Sequence, residues 1–182
     1  MNKRQIRLKL FTSLFSQFLL VASILMLVLD SLYTLVFIAV IISLIFAGLM
    51  TLFLGNMHIT GIKEIENKPE KELDFSVTAS KVLKAKTEYD YLYKEVLKIL
   101  ESKYEFDIEY EDKQNGIIAL KKGRTANSWG EKITVEFYRD VMDKECLKLK
   151  IISLPKYTLT VVDYGENLKN VNIIYKEIKS IL

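Results

Sequence analysis

Two unbroken apolar runs open the chain, 20 residues from Leu10 to Leu29 and 24 from Ser31 to Leu54, and Asp30 is the only charge between Leu10 and Leu54. Each is long enough to cross about 30 Å of hydrocarbon as a helix, so the pattern predicts a transmembrane helical hairpin over residues 10–54. A cleaved leader has a shorter apolar region of about 7–15 residues and is not followed at once by a second span, so the first run is expected to stay in the chain. Antiparallel pairing about the Asp30 turn sets residues whose numbers sum to about 64 at equal depth. That rule brings Ser13 level with Thr51, Gln17 with Ala47 and Gly48, and Val21 with Ser43, a seam of small and polar residues between the two helices.

After Gly55 the pattern changes. Gly55, Gly61, Pro69 and mixed charges predict a juxtamembrane linker over 55–70. Leu73, Phe75 and Val77 alternate with polar residues, as in a short strand with one apolar face. Val82, Ala85, Tyr89, Leu92, Val96 and Ile99 recur at spacings of three and four, predicting a helix over roughly 80–103, with Thr87 before Glu88 and Asp90 as an alternative, later start. Phe106, Ile108 and Tyr110 alternate in a second strand that turns at Gln114-Asn115-Gly116. A three-residue turn with Gly116 left-handed pairs Tyr110 with Leu120, Asp112 with Ile118 and Glu109 with Lys121. Ile133, Val135 and Phe137 line the next strand and Leu147, Leu149 and Ile151 the one after, which Pro155 ends. Residues 157–162 read as an edge strand or an extended connection. Leu168, Val171, Ile174, Ile178 and Ile181 then stripe a closing helix, with Asp163 or Asn167 available to its first amides.

The expected class is therefore α+β: a hairpin, then a two-layer domain over 71–182. Its antiparallel sheet of about five strands, in the order β-α-β-β-β-β-α, carries two helices on one face. The other face is expected to be polar, with Glu109, Glu111, Lys121, Thr134, Glu136, Tyr138, Lys148 and Lys150, and only Ile117, Ala119 and Ile152 apolar.

Charge adds topology. Lys3, Arg4, Arg7 and Lys9 precede the first span, the turn has no base, and Lys63, Lys68 and Lys71 follow the second. The expected placement is two-pass in the plasma (inner) membrane, both termini cytoplasmic, with residues 1–9 as the basic flank and Asp30 facing outward in water. Of 26 bases and 23 acids, removing the four flank bases and Asp30 leaves 22 of each beyond Gly55. A neutral domain gives no support for a nucleic-acid surface.

His58 and Cys146 are single, which leaves no parts for a His/Cys metal cluster, a Cys-His nucleophile or an internal disulfide, and no Gly-rich phosphate loop is present. Cys146 reads as a partly covered strand residue. No catalytic residue, cofactor or metal is expected.

The predicted strand order resembles the TATA-binding-protein-like α+β arrangement and, more distantly, the helix-grip folds of lipid-transfer domains. Ser128-Trp129-Gly130-Glu131, Ser153-Leu154-Pro155 and Asp163-Tyr164-Gly165-Glu166-Asn167 followed by Asn170-Val171 resemble a small domain recurrent in uncharacterised bacterial two-span membrane proteins. That resemblance brings no activity with it. These residues have a structural reading, in which Trp129 plugs the end of the core, Gly130 and Gly165 allow special backbone conformations, and Asp163 and the asparagines bond exposed backbone groups. Alternatively, Arg124, Ser128, Trp129, Asp163 and Asn167 form a ligand or partner site where the loops meet the helix start. The expected function is a membrane-anchored, non-catalytic cytoplasmic protein-interaction or accessory module, in contact with the bilayer and an unknown protein partner. The alternative is a lipid or small apolar ligand-binding module at the membrane surface.

Overall fold

The computed structural model describes the backbone of every residue except 30–32, 104, 126, 141–142 and 144–145; the side chains of 25–36 also lie outside the description. The chain forms two compact units, Met1–Ser76 and Val77–Leu182.

In the first unit α1 (Lys3–Leu29) and α2 (Tyr33–Ile65) are antiparallel. Both are long and apolar enough to cross a membrane. The depth rule holds: the Arg7 guanidinium donates to Asn56 Oδ1 at 2.7 Å, and the rings of Phe18 and Phe46 meet edge-on at 4.4 Å. Ser43, Ala47 and Thr51, one helical turn apart, are buried along α2. Gln17 departs from the expected seam. It is exposed, and its amide turns to Ser13 Oγ on its own helix at 3.5 Å. Val21 is likewise exposed, and a side chain at Gly48 would meet nothing within 4 Å, so neither joins the seam. The Asp30 turn lies outside the described residues.

The expected linker is helical through Ile65. Gly55 sits where the helices run close, 3.5 Å from Arg7 Cγ as measured from an added Cβ, rather than opening a loop. The expected strand at Leu73, Phe75 and Val77 is an irregular segment after a single 3-10 turn, Glu70–Glu72. Leu73 and Phe75 are buried, Phe75 N donates to Met1 O, and Phe75 O lies 3.1 Å from Nε2 of His58, which is fully buried. Lys3 and Lys63 bond the Glu70 carboxyl and hold it at about 2. Alternation at Leu73 and Phe75 therefore reflects burial within the first unit, not a place in a sheet.

The second unit has the expected order: β1 (Ala79–Ala85), α3 (Tyr89–Glu101), β2 (Asp107–Asp112), β3 (Ile117–Lys122), β4 (Glu131–Arg139), β5 (Leu147–Pro155) and α4 (Glu166–Ser180). The five strands form one antiparallel sheet, β1-β5-β4-β3-β2. Leu92, Val96 and Leu100 of α3 and Val171, Ile174 and Ile178 of α4 share one core with the inward residues of the strands, so both helices cover the same face.

Two boundaries differ from the pattern. Residues 80–85 belong to β1, and α3 begins at Tyr89, the later of the two starts. Val82 and Ala85 happen to continue the helical stripe backwards, but Leu83 and Ala85 pair with Leu149 and Leu147, and that cross-strand burial decides the segment. In the β2–β3 hairpin Leu120 pairs with Ile108, not Tyr110, Tyr110 with Ala119, and Asp112 with Ile117, because β2 carries a bulge at Glu109. The connection is closed by Asp112, whose carboxylate accepts from the Asn115 amide N–H and Nδ2, at 3.0 and 2.7 Å. Gly116 is left-handed as expected (φ 67°), and a Cβ there would stand 2.8 Å from Phe137 O. The register turns Tyr110 to the outer face, 53% exposed, and moves Glu111 to the core side. Cys146, directly before β5, is buried rather than partly covered. Residues 157–162 form a connection, not a strand.

Candidate functional site

The ends of β3 and β5, the beginning of β4 and the first turn of α4 meet at one end of the second unit, and polar residues fill the meeting point. Lys122, Glu131 and Ser153 occupy inward positions one step beyond Leu120, Ile133 and Ile151, so strand alternation itself turns them under the helices. Lys122 Nζ donates to Asn170 Oδ1 at 2.9 Å and lies 3.4 Å from Glu166 Oε2 and 3.6 Å from Glu105 Oε2. Beside it Glu131 is 1% exposed, and neither carboxylate oxygen meets a donor at hydrogen-bonding geometry. Burial pushes its carboxyl above the usual range, while nearby Ser128 and the Lys122 charge oppose the shift.

A second set of bonds ties α4 to the sheet. Ser153 Oγ donates to Asn167 Oδ1 at 2.6 Å, and Asn167 Nδ2 donates to Asp163 Oδ2 at 2.8 Å. Asp163 also accepts from the amide N–H groups of Gly165 and Asn167, at 3.2 and 3.0 Å, and so satisfies donors that an α-helix leaves open at its start. The chain enters α4 through left-handed Tyr164 (φ 53°) and Gly165 (φ 85°).

The loop between β3 and β4 is bonded just as locally. Thr125 N donates to Ser128 O, Gly130 N donates to Ser128 Oγ, and Gly130 O accepts from Lys156 N, which joins this loop to the one after β5. Gly130 (φ 100°) has no room for a side chain: a Cβ would stand 2.9 Å from Lys122 O. Trp129 does not plug the core. It is 63% exposed, with the Arg124 guanidinium stacked 4.8 Å from its ring centre.

The five residues singled out from sequence thus divide. Asp163 and Asn167 point inward and bond each other, Arg124 and Trp129 face out as a stacked pair, and Ser128 bonds Thr125 and Gly130 within the β3–β4 loop. Sequence reasoning overlooked Lys122, Glu131, Glu166, Asn170 and Ser153 as one cluster. The available signal was that three of them continue the inward register of apolar strands. Among the described residues no three His, Cys, Asp or Glu side chains are placed to hold a metal ion. At the opposite end of the sheet an open groove of about 520 Å³ runs between the start of α3, Arg139 and Leu147, where Lys86 is ion-paired to Asp143.

No family model matches the sequence, and no curated protein or solved structure resembles it at a significant level.

Glu131 yields a pH prediction. A carboxyl whose folded-state value is raised above its ordinary 4.5 contributes stability that is fully present below that value and is lost as pH rises through the folded one. Urea midpoints of the full chain in detergent, taken by pulse proteolysis from pH 4 to 8, will fall less steeply for Glu131→Gln than for the parent. Parallel curves would mean that the buried carboxyl does not titrate in this window.

Proposed function

We propose that the chain is a membrane-anchored accessory protein that works by docking rather than by catalysis. The observation that carries this reading is the direction of the polar groups at the loop end. Asp163, Asn167 and Ser153 bond one another, Lys122 bonds Asn170 and Glu131 is buried beside it, all turned inward, while Arg124 and Trp129 are presented outside. A catalytic site needs the reverse, reactive groups converging where a substrate reaches them. The two apolar helices supply the anchor, and the bases in the first turns of α1 and after the apolar part of α2 favour both termini on the cytoplasmic side of the inner membrane. The outer sheet face, which neither α3 nor α4 covers, is the surface best suited to a protein partner. It mixes Lys150, Glu136 and Thr134 with Ile152, Ala119, Val82 and Tyr110.

A photoreactive residue at Tyr110 or Val82, both exposed on that face, is expected to capture the same protein in native membranes, and one at exposed Lys94 on α3 is not. An identical product pattern from all three positions would contradict the reading. The alternative of a small apolar ligand held between sheet and helices has less support, because Val96, Leu100, Val171, Ile174 and Ile178 fill that layer at 1% exposure or less.

A further inference from the structure

The two loops joined by the Lys156–Gly130 hydrogen bond sort their residues by charge as well as by polarity. The acids among and beside them are withdrawn: Asp163 is 2% exposed, Glu131 1% and Glu166 8%. The large apolar residues are put forward, with Leu159 88% exposed, Trp129 63% and Tyr157 47%. The charges left outside on these loops, Arg124 and Lys156, are both basic. Where the strands enter the loops, Lys121 and Lys132 stand opposite each other on the outer face, and Lys132 pairs with Leu154. The exposed acids at this end, Glu105 and Asp107, lie on the β2 side, where Asp107 stands opposite Lys121 and Glu105 lies 3.6 Å from Lys122, so the unopposed bases are those toward β4 and the two loops.

Trp129 immediately precedes the glycine whose carbonyl receives Lys156 N, and Tyr157 immediately follows Lys156, so the two rings flank one backbone joint. Leu159 stands in the turn closed by Thr160 N and Tyr157 O. The result is an aromatic and aliphatic tip with a basic surround, held by backbone bonds and by the buried polar cluster behind it.

We propose that this end of the domain docks on the bilayer, with Trp129, Tyr157 and Leu159 entering the interface and Arg124, Lys156 and Lys132 against anionic lipid headgroups. Charge complementarity selects this occupant. A leaflet bearing anionic lipids attracts bases without requiring partners at fixed positions, and Trp and Tyr settle at headgroup depth, with the ring buried and the polar edge wet. The Arg124 stack fits the same geometry, since its guanidinium reaches phosphate while it covers one face of the indole. A protein partner would draw on hydrogen-bonding groups that these loops have already turned inward. The inference rests on α1 and α2 as the membrane anchor: tethering keeps the domain near the lipid, so a few side chains suffice where a free domain would need a larger surface.

Trp129 is the only tryptophan, and its fluorescence therefore reads this tip alone. The full chain is reconstituted in nanodiscs of phosphatidylcholine with and without phosphatidylglycerol, using either ordinary or brominated acyl chains. Trp129 emission should shift to the blue in the anionic discs and be quenched by brominated chains, at least twofold more than in discs without phosphatidylglycerol. Leu159→Glu, or Arg124→Glu combined with Lys156→Glu, should remove most of that quenching while the chain stays in the disc; all three positions are exposed, so the fold is not at stake. Trp129 that remains open to aqueous acrylamide and unaffected by bromine overturns the proposal and leaves the anchor standing. Protection from both quenchers also overturns it, because protein then covers the tip. A chain that leaves the disc removes the anchor and the proposal together.

Discussion

Lys122→Met will destabilise the α+β domain by about 3–5 kcal/mol, the usual cost of removing one side of a buried ionic cluster. Methionine keeps the length of the side chain but not its charge. Lys122 is 9% exposed at its side chain and faces Glu166 at 11%, with Asn170 fully buried and Glu131 at 1%. Without the ammonium group, two carboxylates stay in a poorly hydrated space and Asn170 Oδ1 loses its donor. Pulse proteolysis across a urea series, following the fragment beyond residue 77 from the full chain in detergent, measures the loss. Adding Glu131→Gln removes one of the two stranded charges and is expected to recover part of it. The two changes are therefore non-additive. A Lys122→Met midpoint equal to that of the parent would mean that water reaches these carboxylates freely.

The second large effect belongs to Asp163→Ala, for which the expected cost is about 2–4 kcal/mol. One carboxylate accepts from Gly165 N, Asn167 N and Asn167 Nδ2, all buried, and hydrogen bonds to a charged group contribute about 1.5–3 kcal/mol each when intact. Alanine leaves these donors without an acceptor at the point where the chain passes through two left-handed residues into α4. Asp163→Asn keeps one carbonyl oxygen and should cost clearly less. Amide exchange resolves the cause: the first turn of α4 should exchange faster in the alanine variant, with the middle of β4 little changed. Uniform acceleration across the domain would point to global loss instead of loss of the cap.

These two sites also mark how far the sequence could be read. Asp163 was visible because an acid two residues before a glycine, at the head of an apolar stripe, is a local capping signal. Lys122 and Glu131 were not, because each closes or opens an alternating strand and reads as a solvated end. They are buried only because α4 is laid over those ends through Ser153, Asn167 and Asn170. Trp129 shows the opposite error. A lone tryptophan beside a glycine suggests a core plug, but the left-handed backbone at Gly130 and its contact with Lys122 O fix the loop so that the indole is left outside.

Local periodicity by itself determined the two membrane-length helices, their antiparallel depth relation, α4 and the inward faces of β4 and β5, because periods of 3.6 and 2 are written into adjacent residues. Tertiary structure alone decided that 80–85 is a strand, that Gly55 to Ile65 continues α2, that a bulge at Glu109 turns Tyr110 outward, and that charged strand ends are buried together. Each of those outcomes depends on which distant segment lies opposite: Leu149 across from Leu83, Arg7 beside Gly55, Leu120 across from Ile108, Asn170 above Lys122. The free energy of such pairings comes from residues far apart along the chain, and no window of neighbouring residues contains both partners.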